Sequence, residues 1–238
     1  IYSVKNPFKE TGGLRVLGGN LSPDFSAILK LAGVERGLEN NIFYGKARVF
    51  DGEQKLLNAL DTSPELFKNL DMLVVRYEGP VGGPGMPEML DSTSRITALC
   101  REKKIVVGLM TDGRFSGGSI GLVVGHVGPE AALGGPIGLI EDGDTIIVNL
   151  NTNELICEQL KNKNIFSQRK SKWERSQSEN NGTHPSVGSA NTRLLYRMRC
   201  SAVSAVFGAG MHPEKNIWVS EPREVNKSSF KPINRFRQ

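Results

Sequence analysis

Two apolar runs in this sequence empty directly into glycine-rich loops, and that pairing constrains the fold more than any other feature. The segment DMLVVRYE (71–78) has a central Leu-Val-Val suited to a buried strand and runs without a break into GPVGGPGMPEM (79–89). A second run, KIVVGLMTDG (104–113), ends at the loop DGRFSGGS (112–119). Loops delivered by neighbouring strand ends commonly build one site.

The remaining strand signals are short and closely spaced. GLRVLGGNLSPDFSAILKLAGV (13–34) reads as strand, turn through Gly18-Gly19-Asn20, and strand; FYGKARVF (43–50) has strand character. Leu56, Leu57 and Leu60 fall on one helical face, with Asp51 as the candidate N-cap, and a second helix is predicted from Asp91 through Arg101. GLVVGHVGPEAALGGPIGLI (121–140) reads as short strands and turns, and EDGD (141–144) as a turn before the strand TIIVNL. Short strands with few long helices favour an α+β, barrel-like or sandwich-like domain over a doubly wound sheet.

From about Lys161 the pattern changes. FSQRKSKWERSQSE (166–179) predicts a helix in which Phe166 and Trp173 share a face, ENNGTHPSVGSAN (179–191) resembles a linker, and TRLLYRMRCSAVSAVFGAG (192–210) holds one more short helix. We therefore expect a domain over 1–160 and a basic, partly helical extension over 161–238. The charge supports this division: residues 1–160 hold 15 basic and 20 acidic side chains, and 161–238 hold 15 and 5. The cations of the extension are scattered among Ser, Asn and Pro, which favours a solvated or subunit-contacting surface over nucleic-acid binding.

No segment approaches the ~18 consecutive apolar residues of a membrane helix. Cys100, Cys157 and Cys200 form no C-x-x-C pair, so the expectation is reduced thiols in a cytosol-like compartment, with none of them holding a metal.

The loops carry the chemistry. Gly82, Gly83 and Gly85 between Pro80, Pro84 and Pro87 allow close backbone approach to a ligand, but the loop has neither the G-K-[ST] ending of a P-loop nor dinucleotide-fold spacing. Glu88 stands at its exit. Ser116 lies between Phe115 and the pair Gly117-Gly118, without the G-x-S-x-G of a hydrolase elbow, and His126 sits in an apolar context that fits a packed residue. Residue types alone reach only a ligand-binding α+β domain.

The phrases RYEGPVGGPGMPEML (76–90), LMTDGRFSGGS (109–119) and GHVGPEAALGGPIGLIEDGD (125–144), in that order, resemble the C-terminal domain of the dihydroxy-acid/6-phosphogluconate dehydratase family. GGLRVLGGNLSPD (12–24) and KARVFDGEQ (46–54) resemble the opening of the same domain. The resemblance implies a β-barrel flanked by helices, similar to the mobile domain of aconitase-like enzymes. It implies a hydro-lyase that converts a 2,3-dihydroxy carboxylate to a 2-oxo acid.

At the matching positions, it implies that Ser116 is the alkoxide base and that Glu88 is a Mg²⁺ ligand, with Gly83, Gly85, Gly117 and Gly118 in the substrate-binding loops. It further implies an iron–sulfur cluster whose cysteines, like the other magnesium ligands, come from a large N-terminal domain with no counterpart in this sequence. No cluster cysteine is expected here, and the chain alone is expected to be inactive. Further implications are a dimer or tetramer and a cytoplasmic location, or a mitochondrial one for a eukaryotic branched-chain enzyme. GPVGGPGMPE, HVGPEAALGGPIG and the tail resemble the sugar-acid branch, so xylonate-type aldonates are the expected substrates, ahead of the dihydroxy acids of branched-chain amino-acid synthesis. The reading of another class is a non-catalytic module whose basic tail recruits an acidic partner.

Overall fold

Burial on both faces accounts for the unbroken apolar run DMLVV. Met72 and Val74 point into one core, Leu73 and Val75 into another, and all four are fully buried. The computed structural model describes residues 3, 5–7, 12–30, 37–116, 121–180, 182–188 and 190–211. Gly117 and Gly118, together with the extension beyond 211, lie outside the described residues.

The architecture is α+β. Its strands are β1 (Leu14–Leu17), β2 (Ala27–Lys30), β3 (Ile42–Asp51), β4 (Asp71–Arg76), β5 (Gly108–Thr111), β6 (Val123–Gly125), β7 (Thr145–Asn149) and β8 (Glu154–Cys157). They form one sheet in the order β1-β2-β6-β5-β4-β3-β7-β8. The strands β3, β4, β5 and β6 run parallel to their neighbours among themselves, and the other pairs are antiparallel.

The two edges of the sheet come together. Gly18 bridges to Glu154, with Leu155 N donating to Gly18 O at 2.7 Å and Gly18 N to Asn153 O at 2.9 Å. The Asn20 side chain adds a bond to each backbone polar group of Cys157. The sheet is thereby an almost closed, barrel-like structure, which satisfies edge groups that would otherwise be exposed.

The interior is packed by Leu17, Leu29, Phe43, Met72, Val74, Met110, Val124, Ile146, Val148 and Leu155. Outside, α1 (Glu53–Thr62) and α2 (Leu90–Lys103) cover β4 and β5 through Leu56, Leu60, Ile96 and Leu99, which meet Leu73, Val75 and Leu109. Burying each such side chain contributes roughly 1.5–3 kcal/mol.

One local expectation is corrected and another narrowed. The N-cap of α1 is Gly52 rather than Asp51, because Asp51 is engaged by Arg76 Nε at 2.5 Å and Ser186 Oγ at 2.6 Å, and Glu78 Oε1 accepts the Glu53 amide at 2.7 Å instead. The stretch 131–139, within the region read as short strands and turns, holds no strand and forms two 3₁₀ turns, Ala131–Leu133 and Pro136–Leu139. Gly134 and Pro136 break the extended pattern there, Gly134 with a φ of +71°.

Helices α3 (Lys163–Glu179) and α4 (Arg193–Ser201) match the sequence expectation. Trp173 of α3 is buried in the barrel-side core, with Phe166 packed against it. Arg169 grips the buried Asp144 with both terminal nitrogens, at 2.5 and 3.0 Å. No described helix is long and apolar enough to cross a membrane.

Candidate active site

Because β4, β5 and β6 are parallel neighbours, their C-terminal ends open at the same rim. Residues 77–89 leave β4, 112–116 leave β5 and 126–131 leave β6, so the topology brings three loops together. The two glycine loops therefore leave the sheet at the same rim. Glu88 forms a parallel bridge with Arg114, and Met89 N donates to Arg114 O at 3.3 Å. Glu88 is exposed, and Ser116, two residues beyond Arg114, is 9% exposed.

The fully buried Asp112 ties the three loops at their base. Its Oδ1 accepts the Glu78 amide at 2.9 Å, and its Oδ2 accepts the amides of Tyr77 at 3.0 Å and Ala131 at 2.9 Å. Burial pushes the Asp112 carboxyl up to about 7, against the three amides that favour its ionised form, and the neighbouring Glu130 adds to the rise. Glu130 is also fully buried. Its Oε1 accepts the amide of Ala205, beyond α4, and its Oε2 has no hydrogen-bond partner. Burial raises the Glu78 carboxyl as well, in spite of its bond from the Glu53 amide.

Close approach dictates the glycines of the first loop. A Cβ on Gly82 would lie 2.4 Å from Tyr77 O, and Gly85 has a φ of +88° that disfavours other residues. Gly83 N donates back to Gly79 O at 2.7 Å, closing the turn. Arg114 Nε reaches Met86 O at 2.5 Å, a second tie between the loops.

His126 follows β6 with a φ of +54°, and its amide donates to Gly113 O at 2.8 Å. Burial, with the Arg114 charge second, holds its imidazole below the ordinary histidine value. Beside these loops lies a cavity of about 250 Å³, lined by Met86, Arg114 and His126 on one side and by Met198 and Ala202 on the other. A larger cavity of about 440 Å³ lies between the barrel and α3, and neither Ser116 nor Glu88 lines it.

A sequence profile for the C-terminal region of dihydroxy-acid/6-phosphogluconate dehydratases matches residues 1–209. The chain belongs to this family. Curated relatives carry the same name: a dihydroxy-acid dehydratase of Parvibaculum lavamentivorans is 44% identical over 173 residues, 73% of this chain and 28% of its own length. Those of Prochlorococcus marinus and Francisella tularensis are each 47% identical, over 74% and 73% of this chain and 30% and 29% of theirs. The chain thus spans less than a third of the length of these dehydratases.

Neither group implied by the resemblance fits the described residues alone. Among them, no set of three or more His, Cys, Asp or Glu side chains could hold a metal ion. Magnesium prefers six oxygen ligands, and the one exposed carboxylate of Glu88 supplies too few. The cysteines are dispersed over α2, β8 and α4, and Cys157 is buried with its thiol raised to about 11, chiefly by burial.

Asp112, Glu130 and Arg114 were not singled out from the sequence. An acid directly after a buried strand and before glycine, as in TDG, is the signal that could have marked Asp112.

Proposed function

We propose that this chain is the part of a hydro-lyase that carries the proton-abstracting loop, acting on 2,3-dihydroxy carboxylic acids. The observation that carries the reading is the bridge between Glu88 and Arg114, which joins the two loops whose motifs carry the family resemblance. In this reading Ser116 Oγ takes the proton from C2, hydroxide leaves C3 as water after protonation, and the resulting enol tautomerises to the 2-oxo acid. A serine hydroxyl is a poor base at neutral pH, so the step needs a neighbouring base or positive charge that favours its deprotonated oxygen. Glu88 contributes one oxygen donor, and the glycines of both loops allow the substrate to approach the backbone. The remaining groups come from outside the residues described, so we expect the chain by itself to be without turnover.

The relatives' name favours the branched-chain type of dihydroxy acid over aldonates, reversing the preference drawn from the loop phrases. Those loops are nearly common to both branches, so they carry little information on the substrate tail. The test is turnover of 2,3-dihydroxyisovalerate against xylonate by the complete enzyme containing this chain. Preference for xylonate restores the aldonate reading, and turnover of neither removes both.

A further inference from the structure

Helix α4 lies against the loop that carries Glu88. The Met198 Cε lies 3.3 Å from the point where a Cβ on Gly85 would stand. Arg199, next along the helix, is only 6% exposed. Its Nε donates to Val81 O at 2.9 Å, and its Nη2 to Gly82 O at 3.2 Å and Gly188 O at 2.5 Å. Among the described residues it makes no ion pair with a carboxylate. A buried guanidinium is costly unless its donors are satisfied, and here backbone carbonyls take three of its five N–H groups.

The position of these bonds matters. Asp112 fixes the first loop at its base, through the amides of Tyr77 and Glu78, and the bridge to Arg114 fixes it at Glu88. The stretch between has a cavity of about 250 Å³ beside it, into which the loop could shift. Arg199 grips that stretch. The segment that follows α4 is in turn anchored beside the loop base, where Ala205 N donates to Glu130 Oε1.

We propose that Arg199 is a positioning residue, through which α4 sets the place of the Glu88 loop relative to Ser116. Its catalytic consequence rests on the dehydratase reading above, whereas its effect on the loop does not. The planar fork suits this task because its spaced nitrogens reach the adjacent loop carbonyls of Val81 and Gly82 and, from the segment before α4, that of Gly188, whereas an ammonium concentrates its donors at one point.

The test compares Arg199→Met and Arg199→Lys with wild type in two measurements. In this chain, amide hydrogen exchange over 79–89 is expected to accelerate about 10–100-fold in Arg199→Met, with β4 and β5 unchanged. In the complete enzyme, kcat is expected to fall about 10–100-fold with KM within about threefold, since small misplacements act mainly on the reacting geometry. Arg199→Lys is expected to fall between the two, and it serves as the reading variant if Arg199→Met does not fold.

Wild-type loop exchange and wild-type kcat in the variant that folds overturn the proposal. Acceleration spread evenly over the barrel also overturns it, because that is a general loss of stability. Ser116→Ala in the same enzyme separates the two claims: if it remains active while Arg199→Met still loosens 79–89, the assignment of Ser116 as the base fails and the hold of Arg199 on the loop stands.

Discussion

Replacing Asp112 by Asn should alter the pH dependence of stability in a direction and by an amount that the loop base dictates. The carboxyl is fully buried and lies at about 7 in the folded chain, against 3.8 for an ordinary aspartate. A raised folded value means that the native state holds its proton longer than the unfolded state. The contribution is therefore fully present below pH 3.8 and is lost as pH rises to about 7.

The loss runs at about 1.4 kcal/mol per pH unit, which comes to roughly 3 kcal/mol between pH 5 and 8. Asparagine has no such titration. Its carbonyl can still accept the amides of Tyr77 and Ala131, which share Oδ2, but its NH₂ would face the Glu78 amide. That lost bond costs about 1–3 kcal/mol at every pH. The difference between variant and wild type should thus begin unfavourable at pH 5 and move by about 3 kcal/mol in the variant's favour by pH 8.

Urea unfolding of the chain at four pH values measures this directly. Other shifted groups, such as Asp51, His126 and His184, are present in both proteins and cancel in the difference. A gap that stays constant from pH 5 to 8 would refute the argument that burial outweighs the three amide donors.

Three further outcomes follow from the same structure. Ser116→Ala in the complete enzyme should lower kcat by about 10³-fold, within the range of a lost general base, while the unfolding midpoint of this chain stays within a few degrees. Gly82→Ala should destabilise the chain by about 1–3 kcal/mol in chemical unfolding, because the new Cβ meets Tyr77 O at 2.4 Å and backbone cannot easily yield. Trp173→Ala should cost about 3–5 kcal/mol by the same measurement and loosen α3 from the barrel, since the ring is buried in the main core and stacks on His184 at 5.5 Å between centroids.

The barrel-like fold was legible where side-chain periodicity reports burial directly. The apolar run of β4, the paired strands around Gly18–Asn20 and the leucine face of α1 were read in place, because packing there follows from residue spacing. The N-cap of α1 was misread because Asp51 has a competing partner, Arg76, that is 25 positions away and becomes adjacent only when β3 and β4 pair. In 131–139, read as part of a run of short strands and turns, only turns form, and the amide of Ala131 goes to Asp112, which is remote in sequence. Glu88 and Ser116 stood out through the phrases around them, since a carboxylate after a loop carries no distinguishing pattern by itself.

What local patterning could not reveal is that the first glycine loop is held by residues remote in sequence. Asp112 lies more than 30 positions beyond the two amides it accepts, and Arg199 more than 110 beyond its carbonyls. A loop with three prolines is stiff in its own dihedrals, but stiffness does not choose where the loop sits relative to its neighbour. That choice requires bonds to fixed points, and the loop obtains them from an acid at the end of β5 and a cation on α4. The C-terminal helices, read from sequence as an extension, therefore belong to the physical frame of the candidate site. Any truncation that removes α4 should disturb the loop of Glu88 before it disturbs the barrel.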